Sequence, residues 1–505
     1  MIEAQARSAP TYALTRALFL RWLGAIYFIA FWSLERQVLA LFGAHGVLPA
    51  AAFLARVRAA EGCDWASAVS LPSIFWLGAS DRALLLGAWI GLGLSVAVVL
   101  GLQHVAVLVV LWALYMSFVH VGQIFYGYGW EILLLETGFL AIFLGSVKTL
   151  RPMAARDRTP TLVLALVRWL LFRVMIGAGL IKLRGDSCWR DLTCLYYHYE
   201  TQPLPNPLSP WFHHLPHAVL RGGVAWNHAI ELFFPWLLFG PVWMRRIAGV
   251  LLASFQGVLI ASGNLSFLNW LTIGLTVACF DDEALGWLLP RAVRERRLAE
   301  ASSAGEVSTA RRRVTWALTG LVALLSVGPV VNMLSPGQAM NASFDPLHLV
   351  NTYGAFGSVG RERNEIVLEG TDAAEPDDRA EWRAYELPCK PGDPMRRPCV
   401  VAPFQWRLDW QIWFAAMSRF SNEPWLARVV WKLLENDRAV LGLFANDPFP
   451  DRPPRFIRGV FYSYRFAEPS DPPGAWWHRE RLGLYFPPVS LSDPRFRAFV
   501  ERLSG

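Results

Sequence analysis

Apolar residues are concentrated in the first two thirds of the chain. Between residues 15 and 335, mostly apolar runs of roughly 17 or more residues alternate with short polar segments, and a run of that length can cross a bilayer as a helix. The pattern predicts about nine transmembrane helices, near residues 17–34, 82–101, 104–121, 130–147, 161–182, 226–243, 247–263, 265–281 and 314–334.

The pattern changes after residue 340. Short alternating segments rich in β-branched and aromatic residues follow, separated by Pro, Gly and Asp, which is typical of antiparallel strands. Strands are predicted at 364–370, 382–387, 400–408 and 456–466, with one helix at 424–445. The predicted fold class is a polytopic α-helical membrane protein, with a transmembrane bundle in residues 1–335 and a C-terminal, extracytoplasmic β-rich (α+β) domain in residues 336–505.

Composition and charge agree with a membrane protein. Only 17% of the residues are charged and 54% are hydrophobic, which excludes a single soluble globule. The formal net charge is +7, but the basic residues form short clusters between apolar runs and not one amphipathic face, so nucleic acid is not predicted as a partner. With nine spans, the positive-inside rule places the clusters around Arg16, 148–158, 245–246 and 291–313 in the cytoplasm.

The same span count places three segments outside the cytoplasm: 35–81, 183–225 and 335–505. Five of the six cysteines fall in them, where disulfides are permitted. The spacing favours a Cys389–Cys399 bridge, with Cys188–Cys194 as a second pair, Cys63 as an unpaired thiol and Cys279 in a helix. A zinc site of Cys188, Cys194 and His198 is an alternative, but its spacing is irregular. The local cluster of His213, His214 and His217 lacks nearby carboxylates, and no metal is predicted.

Ionisable residues at membrane depth are candidates for function, because each is costly there unless it faces a cavity or a partner. The structural alternative is pairing between helices, such as Glu136 with Arg173 or Glu131 with Lys182. The residues in this class are Glu35, Arg36, His120, Glu131, Glu136, Arg168, Arg173, Lys182, His228 and Glu231.

The densest group of polar residues begins inside the fifth predicted helix. Gly177 and Gly179 allow close helix approach, and Lys182 is predicted to emerge at the outer face beside Arg184, Asp186, Arg190 and Asp191. Prolines after residue 202 fix an extended loop, which serves either as a surface for a partner or as a cover over the bundle. The sequence contains no Gly-x-Ser-x-Gly, His-Glu-x-x-His, Walker or dinucleotide motif, so neither a catalytic template nor a cofactor is predicted.

Several motifs resemble the lipase maturation factor family. The first is the run from Phe172 to Cys194, which includes Leu-Ile-Lys-Leu-Arg-Gly-Asp and Cys-Trp-Arg-Asp-Leu-Thr-Cys. It is followed by His198-Tyr-Glu-Thr-Gln-Pro. The C-terminal matches are Cys389-Lys-Pro-Gly-Asp, Arg396-Arg-Pro-Cys, Arg407-Leu-Asp-Trp, Trp413-Phe-Ala-Ala, Trp431-Lys-Leu-Leu and Tyr485-Phe-Pro-Pro-Val-Ser. The resemblance spans about residues 20 to 490.

The resemblance implies a resident membrane protein, in animals of the endoplasmic reticulum, that is needed for folding secreted lipases. Segments 183–225 and 340–490 correspond to the regions implicated in client handling. The predominance of Arg over Lys predicts a bacterial member, in the inner membrane with a periplasmic C-terminal domain. The partners expected are exported client proteins and the lipid bilayer. The candidate client-binding residues are Arg184, Asp186, Trp189, Arg190, Asp191, His198, Glu200, Trp410 and Trp413.

A second hypothesis is an intramembrane enzyme. The stretch Ala178-Gly-Leu-Ile-Lys-Leu distantly resembles a lysine-bearing helix of vitamin K-dependent carboxylases. Burial disfavours the charged form of a lysine, so Lys182 is a candidate base, with Glu131, Glu136 or His120 completing the site. This hypothesis requires Lys182 to face a polar, enclosed cavity, whereas a maturation factor would hold it in an ion pair or at the lipid interface.

Overall fold

A computed structural model describes residues 10–62, 64–147, 158–288, 290–292, 294–295, 307–377 and 379–501. Its longer helices within these ranges are α1 Ala13–Phe42, α2 Ala50–Glu61, α3 Asp81–Val99, α4 Val105–Val121, α5 Gly129–Ile142, α6 Thr161–Arg184, α7 His217–His228, α8 Val242–Ser262, α9 Leu268–Thr276, α10 Thr309–Leu325, α11 Val327–Leu334, α12 Arg407–Ala415, α13 Pro424–Leu434 and α14 Pro494–Glu501. Its strands are β1 Arg363–Thr371, β2 Arg383–Tyr385, β3 Phe456–Phe466 and β4 Trp477–Val489.

The first part of the chain is a helical domain of the membrane type. In the described residues, five helical segments are long and apolar enough to cross a bilayer: α1, α3, α6, α8 and the continuous segment α10–α11. Two shorter apolar helices, Val105–Val121 and Leu268–Cys279, lie among them. The predicted membrane-protein class is confirmed, and the count of nine spans stays a prediction.

The sixth predicted span, 226–243, is not one continuous helix. Helix α7 ends at His228, a π-helical turn follows at Ala229–Phe233, and a 3₁₀ segment covers Phe234–Phe239. Pro235 has no N–H to donate and cannot continue a regular helix. The π-turn carries Glu231 toward α6, and single π-helical turns often occur at functional sites.

The predicted basic clusters that the structure describes meet at one end of the bundle. The Asp282 carboxylate accepts from the first backbone N–H groups of α1, at Ala13 and Leu14, over 2.8 and 2.7 Å. Arg246 binds Asp281 at 2.6 Å, and Arg311 donates to the Gly145 carbonyl at 3.0 Å. Residues 281 and 282 thus connect the start of α8 to the start of α1, and Arg311 at the start of α10 binds the end of α5.

The C-terminal part contains a four-stranded antiparallel sheet in the order β2-β1-β3-β4. Strands β1, β2 and β3 match predicted segments, but the predicted strand 400–408 is wrong: this segment is irregular and then enters α12. Its alternation reflects contact with the bundle, because the Gln405 carbonyl accepts from Ser33 and Gln37, each at 2.8 Å. Strand β4 escaped prediction because it is a charged edge strand that tolerates two prolines.

Asp409 gives the C-terminal part a pH dependence. Its carboxylate is buried and accepts from the backbone N–H groups of Cys389 and Lys390, each at 2.7 Å, and burial raises its pKa from 3.8 to about 6. The folded state then binds a proton more readily than the unfolded chain, so this group's contribution to stability falls as pH rises from about 4 to about 6.

We expect Asp409→Asn to leave the melting temperature unchanged near pH 4 and to raise it above about pH 6, since the amide keeps an acceptor for the two N–H groups and removes the buried charge. Thermal unfolding of both proteins across this pH range checks the prediction. Parallel curves at all pH values would contradict it.

Candidate functional site

The loop at 183–225 and the sheet domain form one continuous unit. Arg363, buried at the start of β1, donates to the backbone carbonyls of Glu200, Gln202 and Pro203 over 2.7, 2.5 and 2.9 Å. From the loop side, the Glu200 carboxylate accepts from the Phe466 N–H at 2.7 Å. Two regions that are far apart in sequence are thereby fixed against each other.

A second set of contacts closes the same junction near the end of α6. Asp186 binds Arg361 at 2.8 Å, and its N–H donates to the Gly357 carbonyl at 2.8 Å. The Trp189 indole donates to the Phe356 carbonyl at 2.8 Å. The loop is therefore anchored both to the sheet and to the segment that leads into it.

The structure separates the candidate client-binding residues by exposure. Arg184, Arg190 and Asp191 are exposed, and Asp186, Glu200 and Trp413 are partly exposed. Trp189, His198 and Trp410 are buried. Trp189 and His198 belong to the loop, whereas Trp410 packs against Tyr128 and Trp130 at the start of α5. The candidate residues therefore do not all lie on one surface.

Each ionisable residue that was predicted at membrane depth has an ion-pair or hydrogen-bond partner in the structure. Three of these interactions are buried ion pairs. Glu136 pairs with Arg173, as predicted. The predicted Glu131–Lys182 pair is wrong: Lys182 binds Glu231 at 2.5 Å, and Glu131 binds Arg407 at 2.8 Å. Lys182 and Glu131 are separated because Arg407, from the C-terminal part of the chain, occupies the position beside Glu131.

Glu136 also binds the segment of the chain that leads into the sheet domain. It accepts from the Asn351 N–H at 3.0 Å and from the Tyr353 hydroxyl at 2.8 Å, besides its contact with Arg173. A Cβ on Gly177 would lie 2.3 Å from the Tyr353 carbonyl oxygen, so this segment can approach α6 only because residue 177 is glycine. The predicted close approach at Gly177 is thus to this segment and not to a helix.

Lys182 lines a small, partly open cavity. Its ammonium group also donates to Asn227 at 3.2 Å and lies 5.0 Å from the centre of the Trp189 ring. The cavity has a volume of about 150 Å³ and lies between α6, α8 and α9 under the 183–225 loop, with His198 in its wall. Lys182 thus faces a cavity, but as one half of an ion pair within mostly apolar walls.

The carboxylase-like hypothesis is not supported. Lys182, Glu131 and Glu136 lie in three different ion pairs. His120 belongs to none of these pairs, and its Nε2 is 3.1 Å from Nε2 of His348. The residues proposed for base catalysis therefore do not converge on one site.

Both predicted cysteine pairs are at disulfide distance. The Cα atoms are 4.7 Å apart in Cys188–Cys194 and 5.4 Å apart in Cys389–Cys399, whereas Cys63 lies outside the described residues. The alternative zinc set is not formed, because its two sulfurs are bonded to each other. Among the residues that the structure describes, no cluster of three His, Cys, Asp or Glu side chains is arranged to hold a metal ion.

We expect non-reducing digestion of the native protein to release two linked peptide pairs, Cys188 with Cys194 and Cys389 with Cys399, because each pair has the Cα separation of a disulfide. Mass mapping before and after reduction checks this. Free thiols at both 389 and 399, or a crossed pairing, would contradict it.

Sequence reasoning missed several residues that hold the site together. Arg407 was visible within the motif Arg407-Leu-Asp-Trp, but nothing in the motif names its partner. The sequence gives only a weak indication of the role of Arg363, which is a cation at the start of an apolar strand. Asn351 and Tyr353 give none, because their importance depends on contact with a helix more than 200 residues away.

The fold and the site together define a helical membrane protein whose loop at 183–225 is joined to a C-terminal antiparallel-sheet domain, with Lys182, Glu131 and Glu136 in three separate ion pairs. The model of the lipase maturation factor transmembrane domain matches residues 14–287, and that of the lipase maturation factor C-terminal domain matches residues 349–487. The chain belongs to the lipase maturation factor family.

Curated relatives are similar along almost the full chain. Lipase maturation factor 1 of Bos taurus is 46% identical over 511 residues, which cover 96% of this chain and 91% of the relative. Lipase maturation factor 1 of Homo sapiens is 45% identical, over 96% of this chain and 90% of the relative. Lipase maturation factor 2 of Homo sapiens is 32% identical, over 97% of this chain and 84% of the relative. No solved structure matches the chain significantly.

Proposed function

We propose that this protein is a membrane-resident maturation factor for exported proteins, lipases in the first instance. The observation that carries the proposal is 46% identity to a lipase maturation factor 1 over 96% of the chain. At that identity and coverage, the loop, the sheet domain and the bundle are all included in the comparison. The pairing of the buried charges favours a role in binding and folding over a chemical step.

The client surface in this proposal is the junction of segment 183–225 with the C-terminal domain, residues 336–505. The exposed Arg184, Arg190 and Asp191 lie in the loop that Arg363 and Asp186 attach to this domain. A partly folded client needs a surface that keeps its shape, because ordering a flexible loop on binding lowers affinity. The anchored loop supplies such a surface.

The proposed topology has nine spans, with the basic clusters in the cytoplasm and the client surface outside. The contacts of Arg246 with Asp281 and of Arg311 with Gly145, beyond the ends of α9 and α5, support it together with the positive-inside rule. The compartment is then the lumen of the endoplasmic reticulum, as in animal relatives, or the periplasm if the chain is bacterial.

Complementation tests the function directly. The full chain is expressed in cells that lack lipase maturation factor and secrete a dependent lipase, and the activity per unit mass of secreted lipase is measured. We expect the chain to restore activity per unit mass, not only the amount secreted. A membrane-inserted chain that restores nothing would overturn the proposal.

A charge exchange tests the client surface with a matched control. Arg190→Glu combined with Asp191→Arg keeps the net charge and reverses the local order of two exposed residues. The control is Glu381→Arg combined with Arg383→Glu, a pair that is also exposed, at 74% and 45%, but lies beside β2. We expect only the first exchange to lower the restored lipase activity; equal effects would contradict the assignment of the surface.

Two variants distinguish whether Lys182 only neutralises Glu231 or has a further role. Lys182→Met alone leaves Glu231 buried without its cation, which we expect to destabilise the protein by roughly 3–5 kcal/mol. Lys182→Met with Glu231→Gln removes both charges, and we expect it to recover stability and lipase maturation. Apparent melting temperature and secreted lipase activity check this. A stable double variant without maturation activity would show that Lys182 acts beyond the ion pair.

A further inference from the structure

The cavity beside Lys182 has features that the maturation role does not use. It lies between α6, α7, α8 and α9, beside residues of the 183–225 loop and Phe356. Most of its wall is apolar, with a few polar side chains converging on it, which is the usual composition of a small-molecule site. It is thus a candidate site for a ligand and not only a packing defect.

Two polar side chains in the wall have no partner. His198 and Tyr199 are 6% and 7% exposed and line the cavity, and within the described residues neither the imidazole nitrogens of His198 nor the hydroxyl of Tyr199 make a hydrogen bond. Polar side chains in a cavity wall gain from hydrogen bonds to a molecule that occupies the cavity. A molecule that offers hydrogen bonds within the cavity would satisfy both.

The cavity carries no net charge. Lys182 and Glu231 neutralise each other at 2.5 Å, and Asn227 bridges them by bonds of 3.2 and 2.9 Å. Burial, followed by the nearby Lys182, lowers the pKa of His198 to about 4, which keeps this side chain neutral at pH 7. An anionic or cationic head group would find no free opposite charge here, whereas an uncharged one would lose nothing.

One side of the cavity wall faces the bilayer. Two wall residues, Trp226 on α7 and Val258 on α8, are 44% and 47% exposed, and α8 is long and apolar enough to span the membrane. Large apolar side chains exposed on such a helix contact lipid chains. Two residues of the cavity wall are therefore accessible from the side of the bundle that faces lipid.

We propose that the cavity binds the head of an uncharged, hydroxyl-bearing single-chain lipid, of the monoacylglycerol class. A cavity of about 150 Å³ holds a group of roughly benzene size, which matches a glycerol ester and not a whole lipid. The hydrocarbon chain extends between Trp226 and Val258 into the bilayer. His198 and Tyr199 bind the hydroxyl groups of the head.

Photolabelling tests the proposal on the full chain in membranes. The probe is a monoacylglycerol that carries a diazirine near its head and a terminal alkyne. Labelled peptides are identified by mass spectrometry, and unlabelled monoacylglycerol, fatty acid or phosphatidylglycerol is added as competitor. We expect saturable labelling of the 195–201 and 226–231 segments that only monoacylglycerol competes away. Because this arm uses the unmodified chain, it does not depend on the folding of any variant.

Variants localise the binding. Ala178→Phe adds a ring inside the cavity, whereas Val250→Phe adds one on the exposed face of α8, where Val250 is 58% exposed. We expect the first to abolish labelling and the second to leave it unchanged, and His198→Phe to weaken labelling roughly fivefold, the loss expected for one hydrogen bond. Non-saturable labelling, better competition by an anionic lipid, or equal labelling of a folded Ala178→Phe would overturn the proposal.

Discussion

Replacing Arg407 by Met is expected to destabilise the protein by roughly 3–5 kcal/mol, because it leaves Glu131 buried without a cation. Arg407 is fully buried, binds Glu131 and the Phe125 carbonyl, at 2.8 and 2.7 Å, and lies 3.4 Å from the centre of the Tyr126 ring. It comes from the C-terminal part of the chain, whereas its partners belong to the bundle. The apparent melting temperature of the detergent-solubilised protein and the yield of monodisperse protein measure the effect.

Two variants control for this prediction. Arg383→Met removes an exposed cation that binds Glu381, and we expect a change of at most about 1 kcal/mol. Glu131→Gln combined with Arg407→Met removes both charges while keeping an acceptor for Trp130, so we expect most of the stability to return. If Arg407→Met proved as stable as Arg383→Met, the pair would not link the two parts of the chain.

Replacing Arg363 by Met is expected to detach the 183–225 loop from the sheet domain. One guanidinium holds three loop carbonyls, and hydrogen bonds from charged donors contribute roughly 1.5–3 kcal/mol each, although not additively. Arg363 also binds Glu365 at 2.6 Å, but Glu365 keeps a second cation, Lys390 at 2.5 Å, so the strand retains one buried pair. We therefore expect a loss of several kcal/mol that is concentrated in the loop.

Hydrogen exchange and limited proteolysis distinguish local from global loss. In Arg363→Met, peptides from 195–208 should exchange faster while those from β3 stay protected, and lipase maturation should fall with them. Arg458→Met is a matched control, because it also removes an arginine bound to a carboxylate on the same sheet, in this case Glu369 at 2.8 Å. Equal loop exchange in both variants would contradict the role of Arg363.

The sequence by itself determined the class of the protein. Long apolar runs have few alternatives to membrane helices, and five of them form membrane-length helices in the described residues. The two close cysteine pairs and three of the four predicted strands are also local patterns that the structure reproduces. The motifs from Phe172 to Cys194 and around Arg407 were enough to indicate the family. These features depend on neighbouring residues or on short motifs, so they can be predicted from the amino-acid sequence alone.

Only the tertiary structure decided which charges meet. Lys182 pairs with Glu231 because a π-helical turn carries Glu231 toward α6, and Glu131 pairs with Arg407 because segment 400–408 enters the bundle instead of forming a strand. The physical reason is that a buried charge requires a partner but does not specify where in the chain the partner lies. Several partners satisfy that requirement equally well in sequence, and the packing of the whole chain selects one.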